Sequence, residues 1–446
     1  MFDTVLVANR GEIARRIIRS IQSLGVKAVA VYSEADASSP HVREADEAIL
    51  IGPAPPTESY LDGARIIEAA RASGAQAIHP GYGFLAENAD FAREVQAAGL
   101  VWIGPSPEAI DAMGDKINAR NLMEAAGVPV AAGTPEPVAD VELAVGAAAG
   151  IGYPVMVKAS AGGGGIGMGI AHDEAQLRTA FETARTRAER FFGDPAILLE
   201  RYLPNARHVE VQILGLADGR VIALGERDCS VQRRHQKVAE ESPSPGVGDA
   251  LRARMIAAAI RAGEAVGYRN AGTVECLVSG GDFVFLEMNA RLQVEHPVTE
   301  LVTGLDLVAE QLRIAAGEDI SFDPGSVRSR GHAIELRVYA EDPVRFLPGP
   351  GAITTWKEPT GEGIRIDSGY ADGDTVTPHY DPLMAKLCAW APDRAGALER
   401  LRAAVAAFEI VGPKNNLPFF TELLDNAAFV SGDYDTGLVD SMRAKK

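Results

Sequence analysis

Cysteine is scarce in these 446 residues: only Cys229, Cys276 and Cys388 occur. An odd number of cysteines so far apart excludes a disulfide framework and a cysteine-based metal cage, and it fits a reducing compartment. Positive charge is also in deficit. Lysine and arginine number 43 against 61 aspartates and glutamates, a formal net charge of −18, which speaks against a general nucleic-acid or anionic-membrane surface. Any anion must therefore be held by a local basic cluster. No window approaches an uninterrupted apolar stretch of about 18 residues, and the opening Met1-Phe2-Asp3-Thr4-Val5-Leu6 has no basic segment ahead of its apolar one. The expectation is a soluble, cytoplasmic protein that binds neither nucleic acid nor membrane. Internal repeats, low-complexity tracts and long linkers are absent too. With 47% apolar residues the chain is globular, and its length suits about three domains.

The first ~110 residues alternate short apolar runs with amphipathic stretches: Thr4 to Ala8, a helix from Gly11 toward Leu24, then Lys27 to Tyr32, Ala77 to His79, and Leu100 to Ile103. This βαβ rhythm predicts a parallel sheet with helices on both faces. Asn9-Arg10-Gly11-Glu12 carries one glycine where a dinucleotide fingerprint needs three. A boundary is placed near Gly114, before a helix that starts around Lys116. The expected division is residues 1–113, 114–203, 204–330 and 331–446, with α/β character first and α+β character after it.

Two acidic residues flank a turn. In Thr273 to Val278 and Phe283 to Asn289 alternate residues share a strand face, and a three-residue loop Gly280-Gly281-Asp282 pairs Glu275 with Glu287 and aligns Asn289 beside them. Opposed carboxylates with Cβ atoms ~5 Å apart repel by about 4 kcal/mol at an effective dielectric of ~20. Mg²⁺ or Mn²⁺ would answer that repulsion, and Mg²⁺ completes its shell with substrate phosphates, so a nucleotide site is expected. An exposed polar hairpin face is the plain alternative, and a two-residue loop would turn the two glutamates to opposite faces.

Lys158 ends an apolar strand and precedes Gly162-Gly163-Gly164-Gly165-Ile166-Gly167-Met168-Gly169. Four consecutive glycines suit main-chain N–H groups that approach phosphates closely, or a lid that moves; a floppy surface turn is the alternative. No Gly-Lys-Ser/Thr follows, so this is not a P-loop. The densest positive stretch, a loop at residues 227–237, gathers Arg227, Arg233, Arg234, His235 and Lys237; it suits a small anion, or a solvated face. From Glu287 to His296 the odd positions Glu287, Asn289, Arg291, Gln293 and Glu295 are all polar. An extended segment would aim them at one place. His208, Glu210 and Gln212 share a strand face in the same way, Arg337 lies in a polar-apolar alternation, and Tyr82 sits in a glycine-rich loop after a predicted strand. For His208 and Arg337 a structural role is an equal reading.

Taken together, Lys158 with its glycine loop, Arg227 to Lys237, and Phe285 to Glu300 resemble the biotin carboxylases of the ATP-grasp superfamily. The likeness spans essentially the whole chain, and Val5 to Glu12, His79 to Asn88 and Met113 to Lys116 fit it as well. It implies an N-terminal Rossmann-like domain, an ATP-grasp core with a glycine-rich lid, and a C-terminal biotin carboxylase domain. It further implies that Lys116, Lys158, Gly163, Gly164, Gly165, Glu200, Leu203, His208, Gln232 and His235 bind ATP, and that Glu275, Glu287 and Asn289 bind two Mg²⁺ or Mn²⁺ ions. Lys237, Arg291, Gln293, Val294 and Glu295 would hold bicarbonate, with Glu295 as base. Tyr82 and Arg337 would meet biotin, Arg337 stabilising its enolate. Lys237, Arg291, Glu295 and Arg337 would thus be the catalytic set.

The implied reaction is the first half-reaction of an acetyl-CoA or other acyl-CoA carboxylase, as in fatty acid synthesis. Bicarbonate and ATP give carboxyphosphate, and biotin captures the CO₂ it yields. No Ala-Met-Lys-Met sequence occurs, and Met384-Ala385-Lys386 is a poor substitute, so biotin would arrive on a separate carrier protein or domain. Carboxyltransferase subunits and a second copy of the chain, through Arg19 and its helix, are the other partners implied. Ile166 and Gly169 stand where relatives often carry a basic residue, and Arg201 where Lys is common, which touches lid contacts rather than the reaction. A component of a pyruvate-type carboxylase, another ATP-grasp carboxylate ligase, and an ATP-sensing regulatory chain without activity are the rival readings.

Overall fold

Branched apolar residues dominate Thr4–Val7, Lys27–Ser33 and Ala77–His79, the composition of strands covered on both faces. In the computed structural model, which describes residues 1–159, 168–193, 195–233 and 236–444, they form the expected parallel sheet. Its order is Glu47–Gly52, Lys27–Ser33, Thr4–Val7, Ala77–His79 and Val101–Trp102. The chain reverses direction of build between Thr4–Val7 and Ala77–His79, and loops leaving such a switch point form a ligand crevice. Here Asn9 donates through Nδ2 to the carbonyls of Pro80 and Tyr82, each at 2.7 Å. That clamp needs Gly81: its φ is +65°, and a Cβ there would meet the Asn9 amide at 2.9 Å.

A smaller antiparallel sheet, Gly169–Ala171, Val155–Ala159 and Ile197–Arg201, is backed by the helices Val141–Ile151 and Glu174–Phe192. Val155, Val157, Leu177, Phe181 and Leu199 make its separate core. The glycine-loop residues Gly163, Gly164 and Gly165 lie outside the described residues, as do Arg234 and His235.

Eight antiparallel strands build the largest sheet, in the order Asp282–Asn289, Asn270–Ser279, Arg207–Gly215, Val221–Arg233, Gln236–Ser242, His332–Tyr339, Leu383–Ala391 and Ile364–Ser368. It passes without a break across residue 331, because Gln236–Ser242 pairs with His332–Tyr339 through Ala239 and Leu336. The fold class is the expected one, a mixed α/β chain of three parts. Two local expectations need correction. The basic stretch at 227–237 is mainly strand and not loop, since Arg227 and Arg233 spend their charge on the buried partners Glu210 and Glu341. The extended segment stops at Asn289, and Glu295 sits at the start of the helix His296–Thr303.

Candidate active site

The two hairpin glutamates do oppose one another, by a different route from the one expected. The turn has two residues, with Ser279 paired to Asp282. Gly280 and Gly281 carry φ of 60° and 83°, the two positive values that a type I′ turn demands. This register alone would set Leu286 against Glu275. A β-bulge between Glu275 and Cys276 leaves Leu286 as the extra residue and returns Glu287 to face Glu275.

Glu275 is buried and its oxygens are crowded. Oε1 accepts from Lys237 Nζ at 2.7 Å, Asn289 Nδ2 at 2.9 Å and Gln293 Nε2 at 3.1 Å, while Oε2 lies 2.7 Å from His208 Nε2. Burial alone would raise its carboxyl, but Lys237 and His208 hold it well below the usual carboxylate range. Glu287 is exposed to the open cleft, yet the cleft walls desolvate it and Glu275 repels it, and both effects raise its carboxyl.

Lys237 is the hub. Its ammonium donates to Glu210 at 2.6 Å, Glu275 at 2.7 Å and Glu295 at 2.8 Å, one carboxylate for each of its three N–H bonds. Glu210 and Glu295 are fully buried. Unpaired, either would cost several kcal/mol, so the triad holds only as a set. Behind it Arg227, also fully buried, donates to Glu210 at 2.6 Å, Gln212 at 2.7 Å, Thr299 at 3.0 Å and Thr273 at 3.1 Å. Arg337 lies 2.5 Å from Glu240 and 3.1 Å from Glu295. Against the burial that would raise it, Lys237, Arg337 and Arg227 keep the Glu295 carboxyl well down. Glu240 goes the other way: burial and its neighbour Glu295 outweigh Arg337 and raise it to about 7.

Arg291 reaches Gln293 Oε1 at 2.8 Å and Asn289 Oδ1 at 3.1 Å, and is anchored by Glu87, from the turn that follows the strand Ala77–His79, at 2.8 Å. Gln232 Nε2 meets His208 Nδ1 at 2.7 Å. Further along the same cleft, whose volume is about 1090 Å³, Lys158 pairs with Glu200, and Lys116, Leu203, Val294 and Tyr82 also line it. Tyr82 donates its hydroxyl to Glu12. Glu295 lies behind the wall. The described residues predicted for the site thus line one cleft, except Glu295, which lies behind it. Sequence reasoning missed Glu87, Glu12 and Glu240 as partners; only Glu210 carried a signal, its place in the polar alternation of Arg207–Gly215.

The donor set suits a hard divalent cation. Glu275, Glu287 and Asn289 share one face of the hairpin, and carboxylate and amide oxygens are the ligand type that Mg²⁺ and Mn²⁺ accept, although Asn289 here gives its Nδ2 to Glu275 and its Oδ1 to Arg291. Another cluster of potential ligands among the described residues is His208, Glu210 and Glu275, with ligand atoms within 4.8 Å of one another. Glu275 belongs to both groups.

Three family models cover the chain. Residues 1–110 match the N-terminal domain of biotin carboxylase, 115–322 the ATP-binding domain of the carbamoyl-phosphate synthase L chain, and 335–441 the biotin carboxylase C-terminal domain. The chain is 53% identical to the biotin carboxylase of Halalkalibacterium halodurans over 440 residues, covering 98% of this chain and 97% of that one. It is 50% identical to one of the pyruvate carboxylase subunits of Methanothermobacter thermautotrophicus over 444 residues, 99% of this chain and 90% of that one. Among solved structures, a biotin carboxylase-β,γ-ATP complex from Campylobacter jejuni superposes with a TM-score of 0.96 at 43% identity, over 99% of both chains. The biotin carboxylase domain dimer of the Hydrogenobacter thermophilus 2-oxoglutarate carboxylase, solved with MgADP, ADP and bicarbonate, gives 0.94 at 44% identity, over 99% of this chain and 98% of that one. A cleft that ends in a buried lysine–carboxylate hub, on a fold shared over its full length with these enzymes, identifies the chain as a member of the biotin carboxylase family, the ATP-dependent carboxylating ligases.

Proposed function

We propose that this chain carboxylates biotin presented by a separate carrier protein or domain, using ATP and bicarbonate by way of carboxyphosphate. The observation that carries this reading is the placement of Glu295 between Lys237 and Arg337, at 2.8 and 3.1 Å, with Arg291 and Gln293 beside it on the cleft wall. Lys116 and Lys158 suit phosphates, and Glu200, Leu203, His208 and Gln232 suit the remainder of the nucleotide. Glu275 and Glu287, with Asn289, would hold Mg²⁺ or Mn²⁺, which when bound neutralises phosphate charge.

Lys237 and Arg291 draw in bicarbonate, aided by Gln293 and the backbone at Val294. Glu295 is a poor base while Lys237 and Arg337 grip it. An anion that takes up Lys237 frees the Glu295 carboxylate and lifts it toward the range in which a base works. Glu295 then takes the bicarbonate proton, and the bicarbonate oxygen attacks the γ-phosphorus as the bond to ADP breaks. Carboxyphosphate parts into CO₂ and phosphate. The phosphate removes the ureido N–H proton, Arg337 stabilises the resulting enolate oxygen, and the nitrogen forms the new bond to CO₂. Water must be kept from this labile intermediate.

A carboxyltransferase partner would choose the final acceptor. We take this to be acetyl-CoA or another acyl-CoA, with the likeness to a pyruvate carboxylase component supporting a keto acid as the second reading. A homodimer through the helix Gly11–Ser23 is supported by the exposed Arg19 beside the surface hollow lined by Arg16, Arg365 and Asp367. Among the described residues no helix is long and apolar enough to cross a membrane.

ADP release by the purified chain with Mg²⁺ and ATP, with and without bicarbonate and then with free biotin, tests the reaction. Turnover that requires bicarbonate and rises with biotin is expected; turnover indifferent to both would overturn it in favour of another ATP-grasp ligase.

A further inference from the structure

Lys386 is the one lysine whose side chain is fully buried in the described structure, and the mechanism above makes no use of it. It lies on the strand Leu383–Ala391, in register with Arg337 on one side and Asp367 on the other. Its Nζ donates to the Val294 carbonyl at 3.0 Å and lies 3.0 Å from Glu12 Oε2 and 3.9 Å from Asp367 Oδ2. These partners come from three separate elements: the turn that carries Glu295, the start of the helix Gly11–Ser23, and the strand Ile364–Ser368.

A lysine in such a place loses several kcal/mol of hydration and is retained only if its three donors are all answered. A neutral side chain of equal length would fill the same volume without that cost. What it could not do is bind Val294 and Glu12 at once. Val294 lies between Gln293 and Glu295, and Glu12 accepts the Tyr82 hydroxyl. Both Val294 and Tyr82 line the cleft.

We propose that Lys386 is a positioning residue for the carboxylation: one buried ammonium fixes the bicarbonate-binding turn to the adjoining Glu12–Tyr82 pair of the cleft lining, and so sets where the acceptor meets its CO₂. The inference rests on the reaction proposed above. It predicts that the residue acts on bicarbonate and biotin and not on ATP, whose predicted contacts Lys158, Glu200 and Leu203 lie elsewhere on the cleft wall.

The test compares Lys386→Met, Glu12→Gln and the double variant in the full-length chain, by thermal unfolding and by steady-state ADP release with free biotin. Wild-type turnover, measured alongside, tests the reaction itself: loss of bicarbonate dependence there would overturn the reaction and this role together. With that dependence present, Lys386→Met should lower biotin-stimulated turnover by about 10- to 100-fold, the scale of an ångström-sized misplacement, with the KM for ATP within about twofold. Glu12→Gln in the same chain removes the buried charge left unpaired. The double variant should therefore recover thermal stability and keep the turnover defect, and it supplies the reading should Lys386→Met alone fail to fold. Recovery of turnover together with stability, or an equal effect on ATP and bicarbonate, would show a merely structural ion pair and refute the proposal.

Discussion

Replacing Glu295 by Gln is the sharpest perturbation the site allows. The amide keeps the volume and one acceptor oxygen but has neither charge nor basicity. Its effect on folding is bounded by what remains: Lys237 keeps Glu210 at 2.6 Å and Glu275 at 2.7 Å, and Arg337 keeps Glu240 at 2.5 Å. No cation is stranded, so the loss is about 1–3 kcal/mol, that of weakened charge-assisted hydrogen bonds. The effect on chemistry is larger. A positioned general base contributes about 10²–10⁴-fold, or roughly 3–5 kcal/mol of barrier. Bicarbonate-dependent ADP release should fall by that factor while the chain stays folded at assay temperature. Glu240→Gln is the control, because it loosens the same arginine without touching the base, and it should depress the biotin-stimulated rate more than the bicarbonate-dependent one. Turnover of Glu295→Gln within about tenfold of wild type would refute the assignment.

Three further outcomes can be checked directly. Glu287→Gln should raise the Mg²⁺ concentration needed for half-maximal turnover, with little change in melting temperature, because the side chain is exposed; unchanged Mg²⁺ dependence would remove Glu287 from the metal set. His79 is buried, and its Nδ1 accepts from the Gly81 N–H at 3.0 Å, so Nε2 carries the proton and donates to Gln311 Oε1 at 3.2 Å. Burial lowers it from 6.5 to about 4, and since the unfolded chain then binds more protons, this stability is full above pH ~6.5 and lost as pH falls toward ~4, by about 3 kcal/mol. His79→Gln should flatten the melting curve over that window, and identical slopes would reject the account. Gly280→Val, at a φ of 60°, should cost about 1–2 kcal/mol, seen as a lower denaturation midpoint.

The residue types and spacings made the site legible where periodicity and chemistry agreed. Alternation in Thr273 to Val278 and Phe283 to Asn289 showed which residues share a face of each strand, but the pairing of Glu275 with Glu287 was expected from a three-residue loop and is delivered by a bulge. The number of loop residues was not legible, because Gly-Gly-Asp fits a three-residue loop as well as Gly-Gly fits a type I′ turn, and a bulge at Leu286 leaves no mark in composition. A stretch of basic residues reads as a solvated loop only if each charge is taken alone. Arg227 and Arg233 are strand residues because Glu210 and Glu341, distant in sequence, come to meet them. Such partners are set by sheet order, and the pairing of Gln236–Ser242 with His332–Tyr339 joins segments that no local pattern connects. Glu87, Glu12 and Glu240 stayed invisible for that reason.

The same long-range pairing explains why a chain this acidic can bind anions. At and behind the cleft wall, Glu210, Glu240, Glu275 and Glu295 meet Lys237, Arg227 and Arg337, with His208 beside Glu275 and Glu287 opposite it, so that five carboxylates stand against the permanent charges of one lysine and two arginines. The surplus has a visible consequence: Glu240 and Glu287, the two with the fewest cationic contacts, have their carboxyls raised by burial and by neighbouring carboxylates. Phosphates and bicarbonate would deepen the imbalance. A divalent cation at Glu275 and Glu287 would offset it, and by drawing Glu275 away from Lys237 it would release one of that ammonium's three N–H bonds for bicarbonate. Metal and bicarbonate binding are then coupled through a single lysine. Lys237→Met should weaken bicarbonate binding and also reduce its dependence on Mg²⁺, whereas an Arg291→Met variant, lying outside the hub, should weaken bicarbonate binding at every Mg²⁺ concentration alike. Equal Mg²⁺ dependence in the two variants would break the coupling argument.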